Sequence, residues 1–498
     1  METVTSIKPL LAVLVPLLAP LCIVLARKNE NMREACTFVA AFLVLFIVAS
    51  MYGAVSSGTE LVYELAVLAP GIPLAFRVDS FGLLFGLVAA PLWILTSLYS
   101  IGYMRGLKEH SQTRYFCFFA VAISATIGVA FAANLFTLYA FYEMLSLATY
   151  PLVTHHQDAE ARSAGRKYLF YILGTSIGFL LPAMLTTYWI SGSLDFTAQG
   201  VLPATVSGST VSLLLFLYMF GFAKAGVMPV HSWLPGAMVA PTPVSALLHA
   251  VAVVKVGVFS FLRVVLWILG VDRIQLADLD VFSLDMVACS VASFTVIAAS
   301  LIALSQDGLK RRLAFSTIGQ LAYIVLGVLL LSSTGIMASM LHITMHAFGK
   351  ITLFMVAGAI YVHTGKKYIS QMAGIGRQLP ITMIAFLIGS MSVIGLPPTG
   401  GFISKWALLV GSIEANKLPF LFVYLLSSVL AAAYFFPIVI KAFFPDPGES
   451  QFEDKVNEVP PCCLIPIIFT AVGTLMLFFF PEPFYSLAAN AARVVTGG

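Results

Sequence analysis

Phe220-Gly-Phe-Ala-Lys224-Ala-Gly-Val-Met-Pro229-Val-His231-Ser-Trp-Leu-Pro235 opens the stretch that decides the fold, and it runs on through Pro241-Thr-Pro243-Val-Ser-Ala-Leu-Leu-His249 to Lys255-Val-Gly-Val258. A lysine sits in an apolar run. Four prolines then interrupt the chain, and a histidine and a second lysine follow inside another apolar run. An ionisable group in hydrocarbon costs at least ~2.5–3.5 kcal/mol, which makes each of them a functional candidate. Proline breaks helices, and broken membrane helices survive where neighbours or water take up the freed backbone groups. Broken helices beside buried charges form the layout of an ion path.

The rest of the chain places that stretch in a bilayer. Of 498 residues, 60% are hydrophobic and 10% charged, against about 25% charged in soluble domains. The mean hydropathy is +0.97. The fold class is therefore an all-α polytopic membrane protein. At about 20 residues per crossing, fourteen segments qualify: 7–26, 33–55, 78–101, 114–131, 133–154, 165–190, 209–228, 240–267, 281–304, 312–331, 334–362, 380–412, 417–443 and 461–480. The two long segments 334–362 and 380–412 are rich in glycine or proline, so kinks are expected there. Loops after odd-numbered segments hold sixteen Lys and Arg, and loops after even-numbered ones hold three. The positive-inside rule then puts the odd loops in the cytoplasm and both termini on the other side of the cell membrane.

The net charge of +4 comes from those short loops and implies no nucleic-acid partner. Six cysteines lack metal-ligand spacing and read as apolar packing. The first apolar run reads as a retained helix rather than a signal peptide. There is no Walker motif, dinucleotide fingerprint, CxxC or haem motif, so no cofactor, ATP site or redox centre is expected in this chain. The acidic stretch Pro445–Pro461 (Asp446, Glu449, Glu453, Asp454, Glu458) reads as a solvated loop or a docking surface for another membrane protein of the same complex.

Ionisable residues inside the segments are Glu143, Lys224, His249, Lys255, His342, His346, Lys350, Lys405 and, near a helix end, Lys441. Lys441 and Lys255 could snorkel towards an interface, and each histidine could serve as a packing hydrogen-bond donor. Glu143 and Lys224 resist such readings, and Lys224 is the expected partner of Glu143. At about 6 Å and an effective dielectric near 20, that pair is worth roughly 3 kcal/mol. His342, His346 and Lys350 recur every four residues and so share one helix face, the layout of a proton wire with a lysine at its end. Two histidines at that spacing can also bind zinc, but no carboxylate accompanies them, and no metal is expected. Lys405 follows Gly395-Leu-Pro397-Pro398-Thr-Gly400-Gly401, a second break that would let its ammonium reach a hydrated cavity. The two broken segments are the mark of an inverted-repeat transporter.

The run from Lys224 through Met228-Pro229-Val-His231-Ser-Trp233-Leu-Pro235 to Ala240-Pro241-Thr-Pro243-Val-Ser245-Ala-Leu-Leu-His249 resembles the signature of the antiporter-like subunits of respiratory complex I, of Mrp sodium/proton antiporters and of membrane-bound hydrogenases. Tyr99-Ser-Ile-Gly-Tyr103-Met104, Lys310-Arg311-Arg312-Leu-Ala-Phe-Ser316, His342…His346-Ala-Phe-Gly-Lys350 and Leu396-Pro397-Pro398…Lys405 fit the same family in the same order, over roughly residues 75–445. The resemblance implies fourteen helices, with helices 7 and 12 broken. It implies N-terminal helices in 1–113, a first five-helix repeat in 114–267, an inverted second repeat in 281–443, and a last loop and helix in 444–498. Glu143 and Lys224 would be the paired glutamate and lysine, His249 and Lys255 a relay, His342, His346 and Lys350 the central relay, and Lys405 the terminal residue. Lysine at that last place resembles the Mrp A/D-like and the longest complex I-like types. The absence of a long lateral helix turns the comparison towards the D-like Mrp group and the related hydrogenase subunits.

The reading is a proton-translocating membrane subunit of a multisubunit Mrp-type monovalent cation/proton antiporter. It would work with other membrane subunits, and Na+ would pass through one of those partners because the segments hold no cluster of acidic ligands. The alternative is the proton-pumping subunit of a redox-driven complex, of the NADH:quinone oxidoreductase or membrane-bound hydrogenase kind. A scaffold with a dead channel fits less well, since its expensive buried charges would serve nothing.

Overall fold

Asn29, Asp79, Asn134, Asp158, Ser207 and Ser332 each accept a hydrogen bond from the backbone N–H three residues on, and each starts a helix. These caps turn the apolar runs into separate rods. The computed structural model describes residues 2–69, 71–279, 282–446, 448, 452 and 455–497. The helices of the first half are α1 (Lys8–Leu25), α2 (Glu30–Ala49), α3 (Tyr52–Ser56), α4 (Ser80–Gly106), α5 (Gln112–Ala130), α6 (Leu135–Val153), α7 (Ala159–Thr175), α8 (Leu181–Ser191) and α9 (Gly208–Gly221). After a break come α10 (Trp233–Gly236), α11 (Thr242–Ala246), α12 (Val253–Val264) and α13 (Val271–Gln275). The second half holds α14 (Leu284–Ser305), α15 (Leu309–Leu329), α16 (Ser333–Thr364), α17 (Ile375–Gln378) and α18 (Pro380–Ile394), then, past a second break, α19 (Gly400–Glu414), α20 (Leu418–Phe443), α21 (Pro461–Phe479) and α22 (Glu482–Thr496). π-Helical turns at Ser176–Leu180 and Leu247–Val251 join α7 to α8 and α11 to α12.

Among the described residues, eleven helical segments are long and apolar enough to cross a membrane. The other three expected segments are occupied by α6, which carries Glu143, by α9, and by the pair α18 and α19. Burial sorts the segments into layers. Thr242–Leu269 is wholly buried, and α15 and α16 almost wholly so. Outer helices turn large apolar side chains outward, such as Phe46, Phe170 and Trp189. A helix surrounded by protein on all sides can carry polar groups that lipid would reject. Two of these central segments carry the ionisable candidates, His249 and Lys255 on the first and His342, His346 and Lys350 on α16, and α15 packs against both.

Both breaks fall where the prolines and glycines predict. α9 stops at Gly221, and the chain crosses the interior as irregular backbone before α10. Its freed groups find partners: Trp233 Nε1 donates to the Ala223 carbonyl at 3.0 Å, and the Met228 N–H donates to Thr295 Oγ1 at 3.1 Å. α12 packs directly on this segment because residue 257 is glycine; a Cβ there would lie 2.3 Å from Ala225 N and from the Lys224 carbonyl carbon. Gly257→Ala is therefore expected to lower stability by about 1–3 kcal/mol through overpacking, read as a fall in the unfolding temperature in detergent. The second break ends α18 at Gly395, whose φ of 90° suits glycine alone among common residues.

Two features depart from an all-helical reading. A small sheet caps one end of α4, with β1 (Glu2–Thr5) parallel to β2 (Thr59–Ala69) and β2 antiparallel to β3 (Ile72–Val78), Leu61 opposite Val78. A short hairpin, β4 (Asp278–Leu279) with β5 (Phe282–Ser283), precedes α14. Beyond α21, the chain continues into α22, which buries Leu487, Ala488, Ala491 and Ala492 against α4 and α16. In the acidic loop, Glu449, Glu453 and Asp454 lie outside the described residues, while Glu458 accepts from the Ile381 N–H at 2.6 Å and from Thr382 Oγ1 at 2.6 Å. Cys463 is buried in the first turn of α21 against Gly102, the packing role that its surroundings imply.

Candidate functional site

Lys224 is wholly buried in the 3-10 turn after α9, where the helix break lets its side chain turn towards α6. Its Nζ donates to the Tyr142 carbonyl at 2.9 Å and to Ser146 Oγ at 2.7 Å, and it lies 3.1 Å from the centre of the Tyr142 ring. A cation held over a ring and two oxygens is compensated without a direct carboxylate. Glu143, next to Tyr142 on α6, accepts from Ser176 Oγ at 2.5 Å, and its other oxygen has no hydrogen-bond partner among the described residues. No ion pair within 4.0 Å joins Glu143 to Lys224 among the described residues, and the carboxylate acts on the ammonium at longer range.

From the Lys224 turn the site passes to α12 through the close contact at Gly257. Lys255, one half-turn earlier, sets its Nζ 2.6 Å from Nδ1 of His346 on α16. The His346 ring stacks on that of His342 with centroids 5.8 Å apart, and His346 Nε2 is buried without a partner. His342 bonds on both sides, Nδ1 to Ser404 Oγ at 2.8 Å and Nε2 to Gln320 Oε1 at 3.2 Å. Ser404 precedes Lys405 on α19. Tyr323 links them again: its ring stacks 5.9 Å from His342, and Lys405 Nζ lies 4.5 Å above the same ring. Lys405 Nζ also donates to the Ile394 carbonyl, freed by the second break, at 3.2 Å and to Ser428 Oγ at 3.3 Å.

Lys255, His346, His342 and Lys405 thus form a buried line through the centre, and the turn that holds Lys224 packs on the helix of Lys255 at Gly257. Lys350, one turn past His346 on α16, donates to Ser316 Oγ at 2.8 Å, a hydroxyl that also accepts from Tyr434 OH at 3.0 Å and that lies one turn from the Gln320 bonded to His342 on α15. His249 packs on Phe354 at 4.8 Å, neither ring nitrogen has a hydrogen-bond partner among the described residues, and Lys350 and Lys310 are the charges that act on it. Lys310 borders a cavity of about 790 Å³ that opens between Lys167, His231, Thr242 and Lys367.

Residues 132–431 match the transmembrane family described as NADH:quinone oxidoreductase/Mrp antiporter. This chain belongs to that family. NADH-quinone oxidoreductase subunit N of Desulforudis audaxviator is 30% identical, with 97% of each chain covered. One of the Na(+)/H(+) antiporter subunits of Alkalihalophilus pseudofirmus is 29% identical over 88% of this chain, which spans 57% of that longer relative. In the solved structure of the Mrp complex from Dietzia sp., a chain superposes with a TM-score of 0.85 at 22% identity, covering 98% of this chain and 97% of that one. The protein is thus an antiporter-like, multi-pass membrane subunit of the Mrp and complex I family, whose relatives sit in multisubunit membrane complexes.

Within this family framework, sequence reasoning names the charged members of the site and misses their neutral partners. Ser316, Gln320 and Tyr323 fall on one face of α15, at intervals of four and three residues, and that spacing was the available signal. Tyr142 and Ser146, which hold Lys224, flank Glu143 on α6 in the same way. Also missed is the pair of Arg263 on α12 with Asp79 at the start of α4, bidentate at 2.5 and 2.8 Å and buried.

Proposed function

We propose that this chain moves protons across the cell membrane as part of a Mrp-type monovalent cation/proton antiporter. Protons enter from the cytoplasmic side near Lys224, cross by way of Lys255, His346 and His342 with His249 and Lys350 feeding in from the side, and leave at Lys405. The observation that carries this reading is the 2.6 Å contact of Lys255 with His346, which connects the half of the chain around one helix break to the half around the other. Lysine can give up a proton and histidine can both accept and give one, so each link is a group that titrates rather than a fixed charge. Sodium would pass through another protein of the complex.

The same reading takes the chain as fourteen crossings with both termini outside. It divides the chain into N-terminal helices in 1–113, inverted repeats in 114–267 and 281–443, and a last unit in 444–498. The matching positions of the two breaks, each beside a buried lysine, support that division.

Lys405→Ala is expected to stop proton movement in vesicles that hold the intact complex, measured by dye quenching under an imposed potential. Unchanged movement would remove Lys405 from the route. A redox-driven pump is the second reading, favoured by the full-length similarity to an NADH-quinone oxidoreductase subunit. Mass spectrometry of the complex, purified natively in mild detergent, separates the two. Small hydrophobic partners alone support the antiporter, and co-purifying iron–sulfur proteins support the pump.

A further inference from the structure

Outside the buried line, three imidazoles converge on one carboxylate. Glu109 and His110 lie in the loop between α4 and α5, and His155 and His156 in the loop between α6 and α7. Glu109 Oε2 is 3.9 Å from His110 Nδ1, 3.8 Å from His155 Nε2 and 3.6 Å from His156 Nδ1. These distances are too long for hydrogen bonds. They are a few tenths of an ångström wider than the roughly 3.3 Å between neighbouring ligand atoms around a tetrahedral zinc ion with bonds near 2.0 Å.

His155 makes the cluster more than a chance meeting of surface groups. Its side chain has 0% exposure, and neither ring nitrogen makes a hydrogen bond, although the His110 backbone lies close by. A buried polar group without a partner costs about 1–3 kcal/mol and calls for an explanation. Arg114, which donates to the His155 carbonyl at 2.9 Å, is the opposing charge nearby and would temper the affinity for a cation.

We propose that Glu109, His110 and His155, whose ligand atoms all lie within 4.8 Å of one another, form a binding site for a divalent transition-metal ion of the zinc class, with His156 beside the carboxylate and a fourth position left for water. Nitrogen ligands with one carboxylate are the donor set that zinc takes, and hard cations such as Mg²⁺ or Ca²⁺ would need more oxygen. A bound ion would tie the α4–α5 loop to the α6–α7 loop. It would sit at the rim of the cavity of about 790 Å³, since Glu109 and His156 both line that cavity.

The test is a Co²⁺ titration of the full, tag-free chain in mild detergent, followed by displacement with Zn²⁺. The expected result is one Co²⁺ per chain with the intense visible bands of a four-coordinate site, lost on adding Zn²⁺. Glu109→Gln, His110→Asn and His155→Asn should each weaken binding at least tenfold. His110 is half exposed, so H110N keeps the test valid even if H155N fails to fold. Absence of the four-coordinate bands in the natural chain, or bands and affinity unchanged in E109Q and H110N, would overturn the proposal.

Discussion

Lys255→Met is expected to lower proton movement at least ~10²-fold, the usual contribution of a positioned proton-transfer group, while the chain stays folded. Lys255 is wholly buried, and its ammonium meets His346 Nδ1 at 2.6 Å; among the described residues no carboxylate lies within ion-pair distance of it. Methionine keeps the length of the stem and removes the charge. Removing an uncompensated buried charge relieves desolvation, and this offsets the loss of one hydrogen bond, worth about 1 kcal/mol. Unfolding temperature should therefore hold or rise as transport falls. Lys255→Arg should abolish transport too, because a guanidinium keeps its proton up to a pKa above about 12. Dye quenching in vesicles of the intact complex, with thermal unfolding of the same preparations, checks both variants. Transport that survives either substitution would show that the proton does not pass between Lys255 and His346. A collapse in stability would show that the contact is structural.

That prediction rests on a contact that no local pattern could foretell, and the same limit explains what was legible in the chain. Buried lysines, histidines and proline breaks announce themselves because hydrocarbon makes each one expensive by itself. Lys224, Lys255, His342, His346 and Lys405 are all buried, as their apolar context implies. Ser316, Gln320 and Tyr323 are cheaper to bury, so their presence in an apolar run raised no alarm, yet they hold Lys350, His342 and Lys405. The partner of Lys350 was hidden for the same reason. Spacing fixes which face of α16 the lysine occupies, whereas the hydroxyl that receives it stands on α15. Glu143 and Lys224 show the point from the other side. Opposite charges suggest a coupled pair, but they do not reveal that Ser146 and the Tyr142 carbonyl are the groups in contact with the ammonium.

Asp79→Asn is expected to destabilise the protein by about 3–5 kcal/mol, the usual result of stripping one partner from a buried ion pair. Asp79 does two jobs at the start of α4: Oδ1 caps the Gly82 N–H at 2.7 Å, and both oxygens hold the Arg263 guanidinium. Asparagine caps helices about as well as aspartate, so this substitution isolates the charge from the cap. Arg263 would then keep only the rings of Phe81, Phe196, Phe259 and Trp267, whose centres lie 4.4–5.4 Å from it. Cation–π contact contributes up to about 2 kcal/mol when desolvated and cannot replace a carboxylate. Arg263→Met alone should also destabilise, since it leaves the Asp79 charge nearly buried. The double variant D79N/R263M should recover most of the loss, because neither charge then stands alone. Thermal unfolding of the four proteins closes the cycle, and additive single effects would show that the two side chains do not depend on each other. Arg263 lies eight residues beyond Lys255 on the same helical run, so the pair ties the start of α4 to the helix that delivers Lys255 to His346. Among the described residues, Arg263 makes its hydrogen bonds and ring contacts with none of the members of the buried line. Proton movement by the double variant should therefore track its recovered stability, whereas Lys255→Met loses movement with stability intact.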